Sequence, residues 1–210
     1  MDRNLYIKSS FPVRLPEKLE AVRKKAMDMG IPIIPEDTVS LLQTVFALLK
    51  PEKVLEIGCA VGFSAGLFAS LVPDGGSVVT IDRYPYMIEK AKENFNLMDI
   101  SHKVKLLEGD AAAILPTLDE FYDFIFLDAA KGQYPFFLPQ CLRLLKKGGV
   151  LCADDIFLSG MLYKDPLQIP RRHRTAQKRM KEFLNVIFND SSLQSAILNV
   201  GGGLSLAVKL

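Results

Sequence analysis

The feature that most limits what this chain can fold into is a regular alternation between residues 54 and 153. Five short apolar runs, at 54–57, 78–81, 104–107, 121–127 and 150–153, are separated by stretches of helical character at 62–71, 86–97, 111–118 and 136–145. Apolar runs of this length are the mark of strands buried on both faces, and helical crossovers between them make the sheet parallel. The expected fold class is therefore α/β, with a central, mostly parallel sheet of Rossmann-like type. In such sheets ligands bind outside the carboxyl ends of the strands, where the strand order reverses.

The flanks obey other patterns. Residues 15–29 read as an amphipathic, charged helix stopped by Gly30 and Pro32. A second helix opens near Pro35, Glu36 and Asp37, whose acids suit the positive end of a helix dipole. Val39, Leu41, Leu42, Val45, Phe46 and Leu49 continue it at helical spacing, and Pro51 ends it. Lys147-Gly148-Gly149 reads as a turn feeding the fifth strand. Residues 174–188 read as a helix. Two strand-like runs, 193–200 and 204–210, joined by Gly201-Gly202-Gly203, suit an antiparallel hairpin on the sheet edge. The expected organisation is a helical extension over 1–50 and a catalytic domain over 51–210.

Composition removes several function classes. At 210 residues, with 49% apolar and 24% charged residues, the chain has the length and balance of one folded domain. A net charge of +2 is too small to mark a nucleic-acid binder by itself, so local clustering must decide. Cys59, Cys141 and Cys152 are odd in number and lack paired spacing, which argues against a disulfide framework and a zinc ribbon. Residues 1–8 hold no apolar run resembling a signal peptide, and no uncharged apolar stretch is long enough to span a bilayer. A cytoplasmic protein with no membrane partner is expected.

The most informative segment is Val54-Leu-Glu-Ile-Gly58-Cys-Ala-Val-Gly62-Phe-Ser64. An apolar strand ends in one glycine, and a second opens a helix. The dinucleotide fingerprint needs a third glycine so that pyrophosphate can sit on the helix terminus, and it is missing here. Glu56 would repel phosphate but suits a cationic or amino-bearing ligand. The next strand ends in Asp82, where a carboxylate can accept both hydroxyls of a ribose. Asp110 follows the third strand, placed to accept from an adenine amino group. The bland alternative is a glycine turn with helix-capping acids in an ordinary α/β domain. Acids at three successive strand ends favour a nucleoside ligand without phosphates, such as S-adenosylmethionine.

These residues resemble the class I methyltransferases, with Glu56-Ile-Gly58 as their first motif, and most closely the metal-dependent catechol and caffeoyl-CoA O-methyltransferase group. The resemblance spans nearly the whole chain from the second helix onward. It implies that Ile34, Ser64, Asp82, Asp110 and Ala111, beside Glu56, Gly58, Gly62 and Asp128, contact S-adenosylmethionine. Ile34 fits plain core equally well. The relatives are commonly dimers, which implies a homodimer here.

Phe126-Leu-Asp128-Ala-Ala-Lys131-Gly-Gln-Tyr134 follows the fourth strand and Ala153-Asp154-Asp155 the fifth, so their acids should share one sheet edge. Converging carboxylates repel one another, and a divalent cation relieves that. All-oxygen donors point to Mg²⁺, with Mn²⁺ or Ca²⁺ as substitutes. Asp154 and Asp155 as loop caps are the plain alternative. On the resemblance, Asp128, Asp154 and Asp155 take the metal-ligand positions and Lys131 that of a general base. Relatives usually carry asparagine where this chain has Asp155.

Arg171, Arg172 and Arg174, with Lys178, Arg179 and Lys181 beyond, are locally offset by few acids. Such clustering beside an active site suggests a polyphosphate substrate such as RNA, against the plain alternative of a solvated helix face. The loop, this cluster and the ending Ile197-Leu-Asn-Val-Gly-Gly-Gly-Leu204 look like bacterial tRNA 5-hydroxyuridine methyltransferases, which implies methylation at the anticodon wobble position. A 5-hydroxyl beside the 4-carbonyl offers a metal two adjacent oxygens, as a catechol does. A small phenolic substrate remains the rival enzyme reading. A binding-only module has no use for Lys131, and a dehydrogenase lacks its pyrophosphate loop. His102 reads as a loop residue and His173 as a surface one.

Overall fold

The computed structural model describes residues 12–210, so the reading of residues 1–8 lies outside the described residues. Helices α1 (Glu17–Asp28) and α2 (Glu36–Leu49) precede β1 (Lys53–Ile57), α3 (Phe63–Leu71), β2 (Ser77–Asp82), α4 (Pro85–Met98) and β3 (Val104–Glu108). Then come α5 (Ala111–Ile114), β4 (Tyr122–Leu127), α6 (Tyr134–Leu144), β5 (Leu145–Ala153), α7 (Arg171–Asn189), β6 (Leu193–Leu198) and β7 (Leu204–Lys209). The sheet order is β3-β2-β1-β4-β5-β7-β6. β1 to β5 pair in parallel, and β7 runs antiparallel to both β5 and β6. The α/β expectation, its parallel centre and its antiparallel hairpin all hold.

Alternate residues of the central strands feed two apolar layers, as the pleat requires. Leu55, Ile57, Ile125 and Leu127 face α6 and α7, packing on Phe137, Leu138, Met180 and Phe183. Val54, Phe124 and Phe126 face the other way, onto Leu42 and Phe46 of α2 and Phe68 of α3. There Phe46 and Phe68 stack at 5.2 Å while Phe124 meets Phe46 edge-on at 4.9 Å. Leu19 and Val22 of α1 belong to this layer too, so both N-terminal helices share the core of the sheet.

Two departures from the sequence reading change how the chain is laid out. Pro170 precedes the first turn of α7, which begins at Arg171 and carries the arginine cluster into the helix. Proline is tolerated there because N-terminal amides have no intrahelical acceptor. The Lys147–Gly149 turn lies inside β5: between the pairs Tyr122↔Leu145 and Phe124↔Val150, β5 advances five residues while β4 advances two (150 − 145 against 124 − 122).

The parallel register puts one row of backbone groups beyond the strand ends. Gly58 N donates to Ile81 O at 2.9 Å, Gly109 N to Asp82 O at 2.8 Å, Asp128 N to Ile57 O at 3.0 Å and Asp154 N to Leu127 O at 3.0 Å. Each bond extends the ladder by one residue, which aligns the loops that carry the predicted acids. Among the described residues no helix is long and apolar enough to cross a membrane.

Candidate active site

Beyond this edge lies a cavity of about 340 Å³. Ile34, Gly58, Ser64, Asp82, Asp110, Ala111 and Asp128 all line it, so seven of the nine residues read as cofactor-binding meet in one place. Its wall includes Gly58, at φ +102°, where an added Cβ would stand 2.0 Å from the Asp128 carbonyl oxygen. The first glycine therefore lets two strand-end loops touch backbone to backbone.

Glu56 and Gly62 stand outside the cavity wall. Glu56 is fully buried behind it, Oε2 accepting from the Thr80 hydroxyl at 2.5 Å while Oε1 has no partner among the described residues. Burial pushes this carboxyl up to about 7, against the opposing pull of the Thr80 hydroxyl that bonds to it. Gly62 caps α3, its bare Cα against the Phe95 ring.

The two remaining acids are already at work. Asp82 Oδ2 accepts from Cys59 N at 3.0 Å and Ala60 N at 2.8 Å, and Oδ1 accepts from Tyr84 N at 2.9 Å. Each carboxylate oxygen has two lone pairs, so Oδ2 is filled and Oδ1 keeps one for a ligand. Asp82, placed by the sequence reading to accept ribose hydroxyls, thus also ties the glycine loop to β2. Asp110 Oδ1 accepts from Ala112 N, capping α5, and Oδ2 accepts from Arg83 Nη1, both at 2.9 Å. The Ala112 amide, helped by Arg83, holds this carboxyl below its usual range. Arg83 was not singled out in the sequence, although its place directly after Asp82 on the strand end is a readable signal.

The second half of the site stands beside the first. Lys131 Nζ donates to Asp128 Oδ1 at 2.6 Å, the Asp154 carbonyl at 3.1 Å and the Tyr134 hydroxyl at 3.0 Å. Tyr134 in turn donates to Leu127 O at 2.8 Å. Asp154 is buried, its Oδ1 accepting from Asp155 N at 2.8 Å. Burial, and then the charge of Asp128, push Asp154 up to about 7, and burial raises Asp155 as well. The acids are thus close enough to disfavour one another's ionisation, which a hard divalent cation would relieve, and their oxygens suit Mg²⁺ in kind. They are not drawn into a preformed cluster: among the described residues no three histidine, cysteine or acidic side chains gather to hold an ion. The cation that Asp128 grips is the Lys131 ammonium.

A base role for Lys131 rests on a lowered pKa, and the shift here runs the other way. Burial works to lower it, but Tyr134 and Asp128 outweigh burial and raise it. In this arrangement Lys131 keeps its proton and donates. Asp155 sits at φ +51°, and an added Cβ on Gly202 would come 2.5 Å from its Oδ1. The triple-glycine turn therefore lies directly on the third acid.

Arg171, Arg172 and Arg174 occupy the first turn of α7, which contains no acid. Arg172 Nε bonds to the neighbouring His173 ring at 3.0 Å, keeping His173 among the surface cations.

The sheet order, the glycine loop at its reversal and the nucleoside-sized cavity beyond it define a Rossmann-like enzyme of the methyltransferase class. The chain belongs to the O-methyltransferase family, whose profile matches residues 9–210. It is 28% identical to the tapetum-specific methyltransferase 1 of Arabidopsis thaliana over 87% of this chain and 79% of that protein. It is 25% identical to a caffeoyl-CoA O-methyltransferase of Populus kitakamiensis over 98% and 92%. A Staphylococcus aureus structure, provisionally assigned as a caffeoyl-CoA O-methyltransferase, superposes with a TM-score of 0.92 at 28% identity over 100% of both chains.

Proposed function

We propose that this chain transfers a methyl group from S-adenosylmethionine, with Mg²⁺ bound, to the 5-hydroxyl of 5-hydroxyuridine at the wobble position of a tRNA anticodon, giving 5-methoxyuridine. The observation that carries the RNA half of this reading is the crowding of Arg171, Arg172 and Arg174 at the first turn of α7. The N-terminus of a helix is its positive end, where a cation costs about 0.3–1 kcal/mol and an anion stabilises. Three arginines there work against the helix alone and are relieved by a phosphate backbone.

The apolar cavity takes the donor's adenosine, with the free lone pair of Asp82 Oδ1 available to a ribose hydroxyl. Asp128, Asp154 and Asp155 would hold the divalent ion, Mn²⁺ or Ca²⁺ serving as substitutes, and the ion would supply the Lewis acidity that lowers the pKa of the acceptor hydroxyl. Lys131 Nζ, fixed by Asp128 and the Asp154 carbonyl, would hold its proton and stabilise the acceptor as an oxyanion once the hydroxyl proton has passed to solvent; that oxygen's charge is then consumed in the new O–CH₃ bond as the donor's S–CH₃ bond breaks. Methyl transfer is a direct displacement, so positioning of the two partners supplies much of the rate.

The test is transfer from labelled S-adenosylmethionine to tRNA bearing 5-hydroxyuridine, with and without EDTA, beside a catechol control. EDTA-sensitive labelling of the tRNA is expected. Labelling of catechol alone would refute the RNA substrate. A small phenol is the second reading, favoured by Phe157 and Tyr163, whose rings meet edge-on at 6.4 Å on the loop that follows Asp155.

A further inference from the structure

In sequence, Arg179 belongs with the free cations of α7. The structure occupies it otherwise. Its Nη1 donates to the Gly132 carbonyl at 3.1 Å, and its guanidinium carbon lies 4.8 Å from the centre of the Phe136 ring. One turn further along α7, Phe183 meets the Tyr134 ring edge-on at 5.4 Å. Two residues back, Gln177 is 1% exposed, and its Nε2 donates to the carbonyls of Met161 at 2.8 Å and Lys164 at 2.7 Å. A single helix thus fastens both segments that frame the acceptor centre: residues 131–136, and the loop that follows Asp155.

The short 3₁₀ turn Lys131–Gln133 has no side-chain cap at its start. It carries Lys131 on one side and Gln133, a wall of the cofactor cavity, on the other. Lys131 reaches Asp128 and the Asp154 carbonyl only if this turn stays in place. We infer that Arg179 is a positioning residue: it pins the Lys131–Gln133 turn to α7, so that the helix bearing the arginine cluster and the methyl-transfer centre form one rigid unit. The inference rests on the Lys131 centre being the place of methyl transfer and not on RNA being the substrate. A displacement of about 1 Å in such a group can cost about 100-fold in rate.

Arg179→Met keeps the stem over Phe136 but loses the bond to Gly132, and Arg179→Lys keeps the charge. Both full-length variants are compared with the parent by hydrogen exchange and mass spectrometry, by turnover, and by binding to a tRNA transcript over a salt series. Expected is a local rise in exchange, about tenfold, in the peptide covering 129–136 of Arg179→Met, partly reversed in Arg179→Lys. Turnover number should fall about 10- to 100-fold, with the KM for S-adenosylmethionine changing far less. The salt slope of tRNA binding should stay as it is, whereas a lost phosphate contact would lower it by about one. Unchanged exchange at 129–136 overturns the proposal, and so does a rise spread over the whole chain, which marks a merely structural residue. If the parent binds no tRNA, the RNA reading fails while the exchange result still decides on Arg179.

Discussion

Glu56 is an acid placed where water cannot reach it, and its replacement by glutamine gives a quantitative test of the site's electrostatics. The carboxyl is 0% exposed and its pKa is pushed up from 4.5 to about 7 by burial. Between those two values the unfolded chain has released this proton while the folded chain retains it. Stability therefore falls as pH rises through this window, because the folded state binds more protons. Deprotonation across that window removes up to about 3 kcal/mol of folding free energy by pH 8.

Glu56→Gln abolishes that slope. The amide can accept from Thr80 as the carboxyl does, but its NH₂ meets the position where Oε1 has no partner. An unpaired buried donor costs about 1–3 kcal/mol at every pH, so the slope and not the level is diagnostic. Denaturant unfolding of both proteins at pH 4, 5.5 and 8 reads it. Asp154 titrates in the same range in both proteins and cancels in the difference. The variant should be less stable than the parent at pH 4 and close to it, or above it, at pH 8. Parallel stability profiles would refute the reasoning, since they would mean that Glu56 is ionised in the folded chain well below pH 7.

Gly202→Ala should displace the Asp155 carboxylate and weaken Mn²⁺ binding by calorimetry, about tenfold, and an unchanged affinity would count against Asp155 as a ligand. Asp82→Asn places an NH₂ where Oδ1 or Oδ2 now accepts backbone amides, so affinity for S-adenosylmethionine should fall about 10- to 100-fold in titration calorimetry, equivalent to about 1–3 kcal/mol. Replacing Arg172 and Arg174 by alanine should reduce the salt slope of tRNA binding by about two and leave S-adenosylmethionine affinity untouched; an unaltered slope would return the cluster to a solvated helix face.

What was legible in the sequence is what backbone periodicity dictates. Strands apolar on both faces, glycines at a strand-to-helix turn and acids at successive strand ends all report on local geometry. The parallel ladder then places Gly58, Asp82, Gly109 and Asp128 along one edge without further choice. What was not legible is which lone pair is free. Asp82 spends three bonds on its own loops, Asp110 accepts from Arg83, and Glu56 turns away to Thr80, because side-chain partners depend on distances that the spacing of residues does not encode. Nor could the charge pattern of α7 separate Arg179, bonded to Gly132, from the arginines of the first turn.

The donor half of the site is made from strand ends and backbone amides, which cannot change without disturbing the sheet. The acceptor half depends on side chains of α7 and on the Gly201–Gly203 turn: Gln177 holds the 161–164 carbonyls, Arg179 holds Gly132, and Gly202 leaves room for Asp155. These contacts join segments far apart in the chain and can be rebuilt by a few substitutions without touching the core. A change of acceptor should therefore map to α7, the loop after Asp155 and the glycine turn, with the cavity beside Gly58 left as it is. Exchanging residues 156–181 for those of a phenol-specific relative should then alter the acceptor while the affinity for S-adenosylmethionine stays within a few-fold. A loss of donor binding in that chimera would show instead that the two halves are built as one.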